Sequence, residues 1–171
     1  MKAVVVGAGG IGQWTAHQIG LAGGDVVLAS RSGSGVGPGV SATPNPRVTT
    51  AKVDATDAKA LAELATGADV LVNAVNPPYT DWEEKWPPMA AGFLEAAELS
   101  GAALLTIGNL YPYGHPTTPM IEASTPEAPN GHKVASGRRC GTTPKNCTAP
   151  AGSGPPRSGP PTTSARARAR G

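Results

Sequence analysis

The chain has few aromatic residues, few cysteines and no long apolar run. Three Trp, three Tyr and one Phe occur among 171 residues, so the core has to be built from Val, Leu, Ile and Ala. Cys140 and Cys147 have no second pair and no suitable His, so we interpret them as free thiols and expect no metal site. Because no stretch approaches a membrane-spanning length and no signal-peptide pattern occurs, we expect a cytoplasmic protein with no membrane partner.

No acidic residue follows Glu127. Residues 1–131 contain all twelve acidic and six of the fourteen basic residues, a net charge of −6, whereas residues 132–171 carry +8. The second stretch is rich in Pro, Gly, Ser, Thr and Arg, and it cannot bury enough apolar surface to offset its ordering entropy. We therefore predict one domain over residues 1–131 and a disordered tail over 132–171. The Ala-Arg repeat at 165–170 lacks interleaved aromatic residues, so nucleic acid is not expected as a partner.

Strand and helix patterns alternate along the first part of the chain. The predicted strands are 2–6, 26–29, 48–53, 70–75 and 103–107, the predicted helices are 11–21, 58–65 and 87–99, and a loop is predicted at 32–46. Helical spacing places one set of residues on a single face of the first helix: Ile11, Thr15, Gln18, Ile19 and Ala22. The alternation implies right-handed crossovers. It therefore predicts an α/β fold, a Rossmann-like doubly wound parallel sheet with strand order 3-2-1-4-5.

A glycine-rich motif follows the first predicted strand and opens the first predicted helix. It consists of Gly7, Gly9, Gly10, Ile11 and Gly12, with Ala8 between the first two glycines. In the dinucleotide fingerprint the first glycine permits the tight turn, the second lets the backbone approach the pyrophosphate, and the third allows close packing of helix on strand. The helix N-terminus offers N–H groups to the phosphates. We therefore predict a dinucleotide site here, the alternative being a glycine-rich turn without a ligand.

The end of the second predicted strand bears on the choice of cofactor. NAD sites usually place an acid there to hold the ribose 2′-hydroxyl, but this chain has Ser30 and Arg31. An arginine can form a bidentate pair with a 2′-phosphate, so NADP(H) is favoured and NAD(H) stays possible. The nearest acid, Asp25, precedes the strand at its opposite end. Arg31 could also be an exposed arginine at the mouth of a loop.

Two more segments at predicted strand ends fit a cofactor site. Asp54 could accept a hydrogen bond from the adenine amino group or simply stand at a helix N-terminus. Residues 73–76, including Ala74 and Val75, could line the ribose and nicotinamide, although an Asn after a buried strand is also a common turn former. Trp82 and Trp86 are expected to serve packing.

These motifs carry a family resemblance. The glycine motif, Asp54-Ala55-Thr56-Asp57, Asn73-Ala74-Val75-Asn76 and residues 109–114 occur in the order found in extended and atypical short-chain dehydrogenases. The chain resembles the NAD-dependent epimerase/dehydratase family over residues 1–131. The resemblance implies an oxidoreductase or epimerase acting on a carbonyl or sugar-like small molecule. It also implies that Asn109 and Tyr113 lie near the substrate.

The chain departs from this family pattern in its catalytic residues. Asn109 stands where the family usually has Ser or Thr, and no Tyr follows Tyr113, so the family's Tyr-x-x-x-Lys pair is absent. Asn109 could hydrogen-bond a carbonyl but could not pass on a proton. Three functions therefore stay open: an NAD(P)-dependent enzyme, a dinucleotide-binding regulator without turnover, and an inactive fragment of such an enzyme.

The chain after about residue 131 suggests truncation or a shifted reading frame. Codons can be chosen for residues 138–152 that, read one base out of phase, encode a plausible amphipathic helix, which is the element the family has next. The nucleotide sequence of the gene tests this hypothesis, which fails if no downstream frame continues the domain.

Overall fold

A computed structural model describes residues 1–34 and 45–109, together with Tyr113 and Thr125. The described residues form one sheet from β1 (Lys2–Val6), β2 (Asp25–Ser30), β3 (Val48–Lys52), β4 (Val70–Asn73) and β5 (Ala103–Thr106). The strand order is β3-β2-β1-β4-β5 and all neighbours are parallel, which confirms the predicted fold class and order. The predicted tail at 132–171 and residues 35–44 of the predicted loop lie outside the described residues.

Three helices cover the two faces of this sheet. They are α1 (Gly10–Leu21), α2 (Ala58–Ala65) and α3 (Trp82–Ser100). Helix α1 packs on one face, and α2 and α3 pack side by side on the other. In the part of the chain that the structure describes, no helix is long and apolar enough to cross a membrane.

The core lies on both faces of the central strand β1. Its residues Ala3–Val6 are almost completely buried, as expected of a strand in a parallel sheet that is covered on both sides. On the α2 and α3 face, Val4 and Val6 share a cluster with Leu61 and Phe93. Val5 belongs to the cluster on the α1 face. The sole phenylalanine is thus a core residue among aliphatic side chains, in keeping with the composition.

Helix α1 packs on the sheet through its small residues rather than through its large apolar ones. The buried residues of this helix are Gly12, Ala16 and Gly20, whereas Ile11 is 60% exposed and Trp14 52% exposed. Small residues at intervals of four let the helix approach the strands closely. A larger side chain at Gly20 would meet Asn45 and Val48. Of the residues that helical spacing grouped on one face, Ile19 packs against this core cluster, whereas Ile11 is exposed, because close approach selects small residues over large ones.

Helix α3 begins five residues earlier than predicted. It starts at Trp82, with Pro87 and Pro88 inside the helix rather than at its first position. Proline cannot donate a helical hydrogen bond, so the carbonyls of Glu83 and Glu84 lose their partners four residues on. Both glutamates are exposed, where water can solvate these carbonyls. The early start carries the helix past the carboxyl edge of the sheet.

The other boundaries follow local side-chain chemistry. Helix α2 begins after Asp57, whose carboxylate accepts a hydrogen bond from the N–H of Ala60 at 3.0 Å, which confirms the predicted start. Strand β4 ends at Asn73, two residues before its predicted end. The buried side-chain oxygen of Asn73 accepts a hydrogen bond from the N–H of Val75 at 3.2 Å and turns the chain.

Candidate functional site

A cleft of about 840 Å³ lies at the carboxyl edge of the sheet. Its floor is built from the segments that follow β1, β2, β3 and β4, which is where ligands bind in sheets of this topology. The volume suits a ligand of drug or cofactor size. The site residues predicted from the sequence that line it are Gly7, Gly9, Ser30, Arg31, Asp54, Ala74 and Val75.

The glycine loop is held by contacts that leave no space for side chains at two positions. Gly7 has a φ of +113°, and a Cβ there would come within 2.5 Å of the carbonyl oxygen of Ala74. A Cβ at Gly12 would overlap the carbonyl oxygen of Gly7. The side chain of Gln13 donates a hydrogen bond to the carbonyl of Ala8 at 2.7 Å. These contacts fix the loop against the end of β4 and the start of α1.

The middle of the loop is open. A Cβ at Gly9 or Gly10 would meet no atom of the described residues within 4 Å. Gly9 is the N-cap residue of α1 and lines the cleft, so the free N–H groups of the first turn lie at its wall. An open backbone of this kind agrees with the predicted dinucleotide site, because phosphate groups can come close to the backbone only where no side chain intervenes.

A group of serine hydroxyls adjoins Arg31 after β2. The Oγ atoms of Ser30 and Ser32 lie 3.2 Å apart, and those of Ser32 and Ser34 lie 2.6 Å apart. The Ser30 hydroxyl also donates to the carbonyl of Ser34 at 2.9 Å. All three serines and Arg31 line the cleft. Asp25 lies at the amino end of β2 and forms an ion pair with Arg47 at 2.9 Å, so it faces away from this site as predicted.

Asp54 lines the cleft and also shapes the turn before α2. Its Oδ1 accepts hydrogen bonds from the N–H of Thr56 at 2.9 Å and from the Thr56 hydroxyl at 2.8 Å. These two bonds, with a smaller contribution from the Arg31 charge, hold the pKa of Asp54 below its ordinary value of 3.8, while burial opposes them. The carboxylate is therefore ionised at neutral pH and available as an acceptor at the cleft.

Removing the Thr56 hydroxyl is expected to raise the pKa of Asp54. In Thr56→Val the backbone bond stays and the side-chain bond is lost, so the pKa moves back toward 3.8. A folded-state pKa below the unfolded one stabilises the protein above the unfolded pKa, and that stabilisation is lost as the pH falls through the folded value. Carboxyl chemical shifts followed by NMR from pH 6 to pH 2 measure both proteins.

The matched control for this titration is Thr66→Val. The Thr66 hydroxyl donates to the carbonyl of Ala62 and has no contact with Asp54. The pKa of Asp54 should stay at its wild-type value in the control. If Asp54 had the same pKa in the wild type and in Thr56→Val, the Thr56 hydroxyl would not contribute to lowering that pKa.

The segment after β4 forms the opposite wall of the cleft. Ala74, Val75 and Asn76 line it, whereas the side chain of Asn73 is used in the turn. Pro77 and Pro78 continue this wall, and the carbonyl of Pro77 accepts a hydrogen bond from the indole N–H of Trp82 at 3.0 Å. Trp82 is buried, and its ring lies 4.8 Å from that of Tyr79 and 6.4 Å from that of Trp86. The expectation that Trp82 serves packing agrees with these contacts.

Sequence reasoning missed two lining residues on α3, Lys85 and Met89. Lys85 was missed because the helix was expected to begin at Pro87, which left Lys85 in a loop, whereas Met89 lay inside the predicted helix with nothing in its local pattern to indicate the cleft. The sequence contains a pattern for an earlier start, since Asp81 stands three residues before Glu84 as in a capping box, although the Asp81 side chain makes no capping hydrogen bond in the structure. In the structure Lys85 Nζ lies 2.6 Å from Asp81 Oδ2.

The remaining predicted site residues lie elsewhere. Gly10 and Ile11 form the start of α1, and the Ile11 side chain is exposed. Neither Asn109 nor Tyr113 is among the described residues that line the cleft, so their substrate contacts stay a prediction. Over residues 1–34 and 45–109 no group of three His, Cys, Asp or Glu side chains could hold a metal ion.

A family model matches part of the chain. Residues 3–81 match the saccharopine dehydrogenase NADP binding domain, a stretch that runs from β1 to the residue before α3. The chain contains a nucleotide-binding Rossmann domain. The family match supports a nicotinamide dinucleotide as a ligand of this domain. No curated protein matches the chain.

Solved structures share the fold of this Rossmann domain. The dTDP-glucose 4,6-dehydratase from Bacillus anthracis in complex with NAD has a TM-score of 0.67 and 17% identity, over 82% of this chain and 48% of that one. The enzyme WbmG from Bordetella bronchiseptica in complex with NAD has a TM-score of 0.61 and 22% identity, over 82% and 48%. Uronate dehydrogenase from Agrobacterium tumefaciens has a TM-score of 0.61 and 22% identity, over 81% and 52%. The chain thus spans about half the length of the structures that it matches.

Proposed function

We propose that this Rossmann domain binds NADP(H) in preference to NAD(H), with the adenosine 2′-phosphate beside Arg31. The observation that carries the proposal is the arginine with three hydrogen-bonded serines at one end of the cleft. Guanidinium and hydroxyl groups donate hydrogen bonds to phosphate oxygens, and a guanidinium can do so in a bidentate way. Residues 30–34 contain no carboxylate that would repel the phosphate or hold a free 2′-hydroxyl. The name of the matching family model is in keeping with NADP.

The rest of the dinucleotide would follow the cleft from β2 across to β4. The glycine loop would take the pyrophosphate at the start of α1, and Asp54 would accept a hydrogen bond from the adenine amino group. Ala74 and Val75 would lie against the ribose and nicotinamide. When bound, the nicotinamide supplies hydride transfer, and the chain's own residues position it.

An arginine variant tests the cofactor preference. In Arg31→Ala the affinity for NADPH should fall about ten- to a hundredfold, the value of charged hydrogen bonds, while NADH binding should change little. Isothermal titration calorimetry of both cofactors measures this. The matched control is Arg47→Ala, since Arg47 lies at the opposite edge of the sheet in an exposed ion pair of small energetic value.

Two results would contradict the preference for NADP(H). One is equal affinity of the wild-type chain for NADPH and NADH. The other is a loss in Arg31→Ala that is the same for both cofactors, because the arginine would then not discriminate the 2′-phosphate.

For activity we propose the epimerase/dehydratase type, an oxidoreductase or epimerase acting on a carbonyl or sugar-like substrate near Asn109 and Tyr113. Support comes from the order of the sequence motifs and from similar structures whose names include a dehydratase and a dehydrogenase. The absence of Tyr-x-x-x-Lys favours a second candidate, a dinucleotide-binding protein without turnover, either a regulator or an inactive fragment of the enzyme. Absorbance of NADPH at 340 nm detects a net oxidoreductase with a panel of sugars and carbonyl compounds, and chromatographic analysis of the products detects an epimerase, which leaves the redox state of its cofactor unchanged. Turnover supports the enzyme, and binding without turnover supports the second candidate.

A further inference from the structure

Lys85 is a second cation that lines the cleft, on a different element of the fold from Arg31. The described residues that line the cleft include three with charged side chains: Arg31, Asp54 and Lys85. Arg31 follows β2, whereas Lys85 belongs to α3, which follows β4. The sheet order places β1 and its glycine loop between these two strands. Arg31, Lys85 and the glycine loop all line this one cleft, the two cations on different elements of the fold.

Helix α3 carries Lys85 above the carboxyl edge of the sheet. This helix joins the end of β4 to the start of β5, so it runs antiparallel to the strands with its first turns at the carboxyl edge. At Gly92 it packs so closely on the chain after β3 that a Cβ would come within 2.6 Å of the carbonyl oxygen of Ala55. Lys85 precedes Gly92 by seven residues, or about 10 Å of helix. Lys85 therefore lies in the N-terminal part of α3, and its side chain lines the cleft.

The position of Lys85 is set by contacts on both sides. Asp81, Lys85, Met89 and Phe93 recur every four residues and share one face of α3. Phe93 is in the core and Met89 packs at its border. Asp81 Oδ1 accepts a hydrogen bond from the Thr80 hydroxyl, and Oδ2 accepts one from Lys85. An ammonium has three donors, so the bond to Asp81 leaves donors for a ligand.

We propose that Lys85 binds the pyrophosphate of the dinucleotide, with Asp81 as its positioning residue. This inference rests on the proposed function, since it deepens the same site. The pyrophosphate is the anionic group expected at the glycine loop, and Lys85 lines the same cleft as that loop. Arg31 takes the 2′-phosphate on the β2 side. The two cations therefore have different ligand groups and different effects on cofactor choice.

Three probes separate the ligand groups: NADPH, NADH and ADP-ribose, which keeps the pyrophosphate but lacks the nicotinamide. In Lys85→Met all three should bind about tenfold more weakly and by a common factor, because each loses one charged hydrogen bond. The dependence of affinity on salt should also weaken, since one charge has been removed. Lys85→Arg should retain most of the affinity.

The control for net charge is Lys59→Met, on the exposed side of α2 and outside the cleft lining. It should bind all three probes as the wild type does, and thermal unfolding of each variant checks that the fold is kept. Unchanged binding by Lys85→Met overturns the proposal. A loss for NADPH alone also overturns it and assigns Lys85 to the 2′-phosphate, and a loss that spares ADP-ribose assigns it to the nicotinamide end. Failure of the wild type to bind any probe overturns the proposed function itself, together with this inference.

Discussion

Replacing Gly12 with alanine is expected to unfold the domain at a much lower temperature than the wild type. The added methyl would overlap the carbonyl oxygen of Gly7, which is backbone and cannot rotate away as a side chain can. Gly7 is itself held in place, because its N–H donates a hydrogen bond to the carbonyl of Ala29 at 2.8 Å. Helix α1 would have to move off the sheet, at a cost of about 3 kcal/mol or more. For a domain of this size that corresponds to a fall in Tm of about 10 °C or more.

Gly10→Ala is the matched control for this substitution. The same methyl at Gly10 meets no described atom within 4 Å, and Gly10 is the first residue of α1, where alanine is the better helix former. Its Tm should equal or slightly exceed that of the wild type. Circular dichroism during heating measures all three proteins. If Gly12→Ala had the same Tm as the wild type, α1 would not pack on the glycine loop as closely as the structure shows.

The sheet was accessible from the sequence because each strand has a strong local pattern. Val4, Val5 and Val6 lead directly into the glycines, and a buried parallel strand needs a continuous apolar run of this kind. The strand order followed from the alternation with helices and from handedness, which leave few topologies. Helix α2 was placed correctly because its limits are local, with a cap at Asp57 and a glycine at position 67.

Features set by tertiary contacts were less accessible. The packing face of α1 depends on how close the helix comes to the sheet, and hydrophobic spacing alone favours Ile11, which is in fact exposed. The start of α3 was hidden by Pro87, because the local preference of proline for a first turn outweighed the capping pattern at Asp81. At the end of β4 the side chain of Asn73 accepts a hydrogen bond from the N–H of Val75. From the sequence, Asn73 could equally have formed a turn or contacted a ligand.

In the candidate site too, residues placed by local patterns could be predicted and residues placed by tertiary packing could not. Residues adjacent in sequence to strand ends, such as Arg31 and Asp54, could be placed because the carboxyl ends of parallel strands meet at one edge. Lys85 could not, since it reaches the cleft from a helix whose height above the sheet is set by the packing of Gly92 on Ala55. When a helix contributes a side chain to a site, the position of that side chain depends on how the helix packs on the sheet. Local sequence patterns do not encode this packing.

Replacing Gly9 with alanine is expected to have the opposite effect to Gly12→Ala, although the chemical change is the same. Gly9 has φ −75° and ψ 179°, which alanine adopts without strain, and the methyl meets no described atom within 4 Å. The fold and Tm should therefore stay as in the wild type. The methyl would instead occupy the space at the wall of the cleft that the pyrophosphate needs.

The expected result for Gly9→Ala is a loss of NADPH affinity of about ten- to a hundredfold with an unchanged melting curve. ADP-ribose should lose affinity by the same factor, because the clash is with the pyrophosphate that both ligands share. Calorimetric titration of NADPH and ADP-ribose measures both affinities. Gly23→Ala is unsuitable as a control, because Gly23 has a positive φ of 87°. Ala22→Gly, at the far end of α1, is the suitable control for binding. Wild-type affinity in Gly9→Ala would mean that the ligand's phosphates do not approach the backbone at this glycine, and the open space would then need another occupant.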